Sequence, residues 1–370
     1  MNKKSNIKFV SKDRNVFFAT LRKRVDAYFS ENNISKTANT TMVIKSVVLI
    51  SAYILPFIFL LIFKPAFPLS LVLWVIMGIG VAGIGMSVMH DANHGAYSKS
   101  KRVNFLMGHT LNLVGGSAFN WKLQHNILHH TYTNVVEMDE DIQDRLVLRF
   151  SPHTKVKFYH KLQWVYAFVF YGLLTLYWVI AKDFVQYRLF IKNGVNPDSV
   201  AKNKVTLFKI TVMKVLYFSM ILGMPVLVFG FPFLHILLGF LVMHFVAGII
   251  LTVVFQLAHT VEGTTHPRPS ENGTIENDWA IHQLNTTVNF SPGNRILSWY
   301  VGGLNYQIEH HLFPRVCHVH YPAIAPIVKA TAAEFGISYM ENETFGKALR
   351  SHIETLHRFG RLPDINEAIA

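Results

Sequence analysis

A single cysteine, Cys317, stands in a chain of 370 residues. That excludes an intramolecular disulfide and any cysteine-ligated iron–sulfur or zinc site. Charge is also sparse: charged residues make up 15% of the chain, apolar residues 51%, and the mean hydropathy is +0.28. A soluble domain carries about 25% charge, so lipid is expected as part of the solvent. Acidic residues are the scarcer sign, 22 against 35 basic, giving a formal charge of +13. No compact basic module stands out between the apolar runs, which argues against a nucleic-acid partner and for basic loops beside an anionic membrane leaflet. No dinucleotide fingerprint, flavin motif or haem motif occurs, so electrons for any redox chemistry must come from elsewhere. What the chain has in excess is histidine, 19 residues, and they cluster.

The apolar residues fall into five runs: 43–63, 68–89, 164–181, 210–229 and 231–258. A helix needs roughly 20 apolar residues to cross the hydrocarbon core, and the run 164–181 is the short one. Basic residues flank that run on both sides, with Arg149, Lys155, Lys157 and Lys161 before it and Lys182, Arg188, Lys192, Lys202 and Lys204 after it. The positive-inside bias therefore places both of its ends in the cytoplasm. The expected fold is an all-α membrane protein: four transmembrane helices in two hairpins, under a cytoplasmic helical cap. Segments 103–118 and 164–181 would lie along the interface. A fifth crossing at 164–181 would put the histidines before it and after it on opposite faces. Residues 1–40, with Lys3, Lys4, Lys8, Lys12 and Arg14, read as a cytoplasmic arm holding an amphipathic helix near Val16 to Phe29. Residues 41–340 form the main domain, and 341–370 a cytoplasmic tail.

The histidines come in four pieces. HDANH places His90 and His94 at the end of the second run. HNILHH carries His125, His129 and His130, FQLAHTVE carries His259, and QIEHH carries Gln307, His310 and His311. On an α-helix, residues four apart share a face, so His90 pairs with His94 and His125 with His129. His130 is turned by roughly 100° and can serve a second metal. One such pair alone is more often a surface coincidence. Three clusters predicted on one membrane face point to metal, and this many imidazoles suits two ions. Asp91, Asn93, Asp139, Asp141 and Glu309 lie nearby in sequence and could orient the rings. His282, in WAIHQLNTT, could do the same or face a substrate. His235 and His244, within the last run, should face the bundle interior. His109, His153, His160, His266, His318, His320, His352 and His357 read as ordinary interface or surface residues.

At HDANHGAYS (90–98), HHTYTNVVEMDEDI (129–142), WAIHQLNTTVNF (279–290) and NYQIEHHLFP (305–314), the chain resembles the membrane fatty-acid desaturase family, over roughly residues 40 to 340. It is most similar to the front-end and linoleoyl-CoA branch, in which a glutamine replaces the first histidine of the third box. The resemblance implies two Fe ions held by His90, His94, His125, His129, His130, His259, His310 and His311. Gln307 would then be a weak ligand or a partner of one. Stearoyl-CoA desaturases have an asparagine one turn before the lone histidine; Phe255 stands there, so that detail does not transfer. The cytochrome b5 domain with its HPGG motif, fused to many eukaryotic relatives, has no counterpart here.

An unactivated methylene has no acidic proton and no leaving group, so a metal–oxygen oxidant must do the difficult step. By resemblance, O2 and two external electrons turn two adjacent methylenes into a cis double bond, with release of two waters. The implied partners are a long-chain fatty acyl substrate, CoA- or lipid-linked, and an electron donor such as ferredoxin or cytochrome b5. The alternatives are a lipid hydroxylase, ketolase or sphingolipid desaturase on the same scaffold, or a non-catalytic metal-binding or metal-transport membrane protein. The last would hold its ligands near the bilayer midplane rather than beyond the helices.

Overall fold

The computed structural model describes residues 7–11, 16–142, 147–196 and 198–363. Lys3, Lys4, Lys12 and Arg14 lie outside the described residues. Helices dominate, and the strands among the described residues are two-residue pieces in two parallel pairs. The chain falls into two compact units. The first comprises Met1–Ala38, Gln124–Ala167 and Val254–Ala370, and the second Asn39–Leu123 and Phe168–Val253.

Five helical runs are long and apolar enough to cross a membrane: Thr40–Phe63, Phe67–His94, Phe158–Lys192, Val200–Leu227 and Phe233–His259. This makes the protein an integral membrane protein. Four of the runs contain or closely match the expected spans. The fifth, Phe158–Lys192, is longer than the sequence suggested, because the helix continues through the basic flanks of the apolar run.

In the second unit, Thr40–Phe63 begins at Asn39, whose side chain accepts from the Met42 amide, and ends at Lys64 in a left-handed conformation. Its Val43, Ile44, Val47, Leu55 and Ile62 are exposed, as a lipid-facing surface requires. Glycine lets helix backbones meet: a Cβ on Gly80 would lie 2.8 Å from the Tyr53 amide nitrogen, and one on Gly248 2.5 Å from the Gly172 carbonyl. A buried ion pair joins Lys214 to Asp183 at 2.7 Å. Lys214 also donates to the Gly115 and Trp178 carbonyls, and Asp183 accepts from the Ser117 amide. Of the two histidines in Phe233–His259 expected to face inward, His244 is buried between Tyr217 and Thr175. His235 is instead exposed and stacks on Phe67. Segment 103–118, expected to lie along the interface, is broken into short helices, with Phe105 and Leu106 exposed.

The first unit contains the expected amphipathic helix, Phe17–Glu31. Phe17, Leu21, Val25 and Phe29 recur every four residues and pack with Ile324, Val328 and Ala332 of Tyr321–Glu334. Residues Lys8–Phe9 pair with Thr274–Ile275, and Asn289–Phe290 with Glu341–Asn342. The buried Arg149 guanidinium donates to the Phe359, Leu362 and Pro152 carbonyls, fastening the C-terminal helix Phe345–Phe359 to this unit. Several histidines expected at the surface are buried: His160, His266, His318, His320 and His352.

Candidate metal centre

Six of the candidate histidines gather in the first unit. The second box differs in winding from the sequence expectation, since Lys122–His129 is a π-helix rather than an α-helix. Its hydrogen bonds span five residues, so the residue five along comes round to the same side. The His130 amide accordingly bonds the His125 carbonyl at 3.0 Å, and the two Nε2 atoms stand 3.3 Å apart. His130 is therefore beside His125 rather than turned away from it. His129 remains close too, with its ring 5.1 Å from that of His125.

Two triads form. His129, His259 and His311 bring ligand atoms within 4.8 Å of one another, and so do His130, His310 and His311. His311 belongs to both. All of these residues are buried. The rings of His129, His259, His310 and His311 are held from outside by hydrogen bonds. His129 Nδ1 donates to Asp139 at 2.9 Å, and that carboxylate is itself fixed by the Asn134 and Asp141 amides. His259 Nδ1 donates to the Thr286 carbonyl at 3.3 Å, and His311 Nδ1 donates to Gln283 Oε1 at 2.8 Å. His310 Nδ1 lies 3.2 Å from the Tyr321 hydroxyl, and His125 Nδ1 is 3.9 Å from Asp141. A Nδ1 that donates leaves Nε2 with the lone pair, the arrangement that prepares imidazole for metal. Burial opposes charging His129, but Asp139 and Asp141 together outweigh it and raise its pKa.

The donor set fits a metal. His129 Nε2 and Gln307 Oε1 are buried without a hydrogen-bond partner, an arrangement that costs free energy unless something binds there. All-imidazole ligation suits iron, and also zinc or copper. Gln307 Nε2 donates to His259 Nε2 at 2.9 Å. Phe255 packs its ring 4.7 Å from that of His259 and 5.2 Å from that of His129, so an apolar wall stands one turn before His259.

In the second unit, His90 and His94 are likewise close, their rings 4.8 Å apart and each next to Trp121. A π-helical turn, Ile84–Val88, precedes them, and Gly95 ends the helix in a left-handed conformation.

The nearby polar residues divide. Asp139 accepts from His129 Nδ1, and Asp141 is engaged by Gln124. Asp91 stands 3.7 Å from His90 Nδ1, beyond hydrogen-bond length. Asn93 instead donates to the Gly108 carbonyl, joining two helices. Glu309 faces away from the rings: Asn289 and Tyr339 donate to it, and burial, partly offset by those bonds, raises its pKa to about 7. It braces the Gln307–Leu312 helix, helped by the Ile308 amide bonding Asn289. His282 packs on Phe9, and burial lowers its pKa to about 4. It lines a cleft of about 350 Å³ with Arg268, Ser270 and Thr274. Gln283, Thr286 and Tyr321 escaped the sequence reading. The one signal available was the polar run HQLNTT next to His282.

Buried imidazoles held by their outer nitrogens, in a chain with several membrane-length helices, define an integral membrane protein with a histidine cluster compatible with a metal site. Comparison narrows the class. The family model "Fatty acid desaturase" matches residues 22–343, and the chain belongs to that family. It is 36% identical over 348 residues to an sn-1 linoleoyl-lipid 6-desaturase of Arthrospira platensis, covering 94% of each chain. It is 34% identical to an enzyme of the same name from Synechocystis sp., covering 96% of this chain and 98% of the other. An acyl-lipid (8-3)-desaturase of Physcomitrium patens is 35% identical, covering 97% of this chain and 74% of that one. The protein is a fatty acyl desaturase, an oxidoreductase.

Proposed function

We propose that two Fe ions occupy the histidine cluster and that His90 and His94 complete a ligand set with His125, His129, His130, His259, His310 and His311. The pair of triads sharing His311 carries this reading. Bound there, iron would supply the reduction of O2 that breaking an unactivated C–H bond demands. The balance is simple. Two adjacent methylenes each give up one hydrogen and become a cis double bond. O2 takes both, together with two protons and two external electrons, and leaves as two waters. The chain's own side chains hold the imidazoles in one tautomer, keep the centre buried, and place the apolar Phe255 against it.

The substrate is a long acyl chain carried on a lipid; the names of the relatives support this over a CoA carrier. Burial of the chain among the helices would contribute about 0.8 kcal/mol per methylene. The electrons come from a separate carrier, ferredoxin or cytochrome b5, and the basic surface favours an acidic one.

We also propose four spans, with Phe158–Lys192 returning to the side it left. His129 and His259 have ring centroids 4.8 Å apart, so the chain between them crosses the bilayer an even number of times. Val200–Leu227 and Phe233–His259 account for two crossings. The flanking lysines and arginines put the centre, the 1–40 arm and the 341–370 tail on the cytoplasmic side.

Heterologous expression with methyl-ester profiling of total lipid tests the reading, with metal measured in the purified protein. A new double bond that requires O2, and iron near two per chain, is the expected result. Retained oxygen in the product, or zinc with no acyl oxidation, would overturn it.

A further inference from the structure

Gln283 bridges two of the histidine boxes through one amide. Its Nε2 donates to the His130 carbonyl at 3.4 Å, which also accepts from Trp279 Nε1 at 3.2 Å. Its Oε1 accepts from the Thr133 hydroxyl at 2.8 Å and from His311 Nδ1 at 2.8 Å. The single Thr133 proton is shared between Gln283 Oε1 and the His129 carbonyl, and the Thr133 oxygen also lies 3.2 Å from His311 Nδ1.

The orientation of this amide is forced. A backbone carbonyl can only accept, so the NH2 group must face His130 and the oxygen must face His311. An amide oxygen can only accept, so His311 Nδ1 must carry the proton. His311 Nε2 is then left as the lone-pair nitrogen. Asp139 does the same for His129; His311 stands where the two triads meet and has one lone pair to give.

We infer that Gln283 is the positioning residue for His311: it fixes the tautomer and rotation of this imidazole, so that its one lone pair is presented to a metal. Its loss should weaken one metal, the one His311 holds. Outer-sphere partners of this kind change metal affinity by about 10- to 100-fold.

The test titrates Co²⁺ into the metal-free protein in nanodiscs, following its d–d absorption. Wild type should take up two equivalents. In Gln283→Leu one equivalent should bind at least about tenfold more weakly while the other stays near wild type. Wild-type affinity at both metals in Gln283→Leu would overturn the inference. A second measurement needs no variant. The ¹⁵N shifts of His311 in the metal-free wild type should show a protonated Nδ1 and a bare Nε2, and the reverse tautomer would overturn the inference. The inference rests on the two-metal reading, but this tautomer does not. A wild type that binds fewer than two equivalents sinks that reading, while the shifts still judge the geometry.

Discussion

Gln307 donates its side-chain amide to the same His259 nitrogen that a metal would need, at 2.9 Å. The Thr286 carbonyl takes the proton of Nδ1, so Nε2 holds the lone pair for which the amide and a metal compete. The glutamine therefore guards the metal-free state rather than forming an indispensable part of the loaded one. A neutral hydrogen bond is worth about 1 kcal/mol, so Gln307→Leu should leave iron affinity within about fivefold of wild type. Competition against a chelator of known affinity measures this. A loss of tenfold or more would make Gln307 a ligand.

The Lys214–Asp183 pair lies fully buried beside the Ser117 and Asn120 contacts. Removing one partner strands the other charge, at a cost of about 3–5 kcal/mol. Lys214→Met should therefore lower the thermal midpoint in nanodiscs sharply. The double variant Lys214→Met, Asp183→Asn should recover much of the loss, because Asn keeps an acceptor for the Ser117 amide and no charge remains. Equal midpoints for the single and double variants would show that the charge is not what matters.

His352 is buried and donates Nδ1 to the Thr260 carbonyl at 2.7 Å; burial lowers its pKa from 6.5 to about 4. His266 is lowered to about 4 as well, by burial and then by His153. Between pH 6.5 and about 4 the unfolded chain binds protons that the folded chain refuses. Stability therefore falls as pH falls through this window and levels off below it. His352 alone should contribute about 3 kcal/mol of that loss. Unfolding of the metal-free protein at several pH values should give a shallower acid slope in His352→Asn. Parallel curves for the two proteins would refute the assignment.

The long apolar helices and the histidine boxes were legible because each is a local pattern. The Asp139 contact was legible too, being ten residues from His129 in one loop. Sequence proximity misled at Asn93 and Glu309, where the side chains serve helix packing and the bracing of the third box instead of the rings. Gln283 and Thr286 were out of reach for the opposite reason: each meets its histidine 28 and 27 residues away, and only the tertiary fold makes them neighbours. The winding of the second box was hidden as well, since an i, i+4 pattern of apolar and histidine residues looks the same whichever way the turn closes. Phe158–Lys192 proved longer than its apolar core because lysines and arginines continue a helix as readily as leucines do.

The wide turn at Lys122–His129 makes the second box a matter of counting. Between His125 and His130 the chain holds one residue more than an ordinary turn would, and that surplus is what swings the two rings together. Rewinding this stretch into the common α form without shortening it would carry His130 about a quarter-turn away from His125, even though every histidine was still present. Loops elsewhere can drift in length without harm; this stretch has its length written into its chemistry.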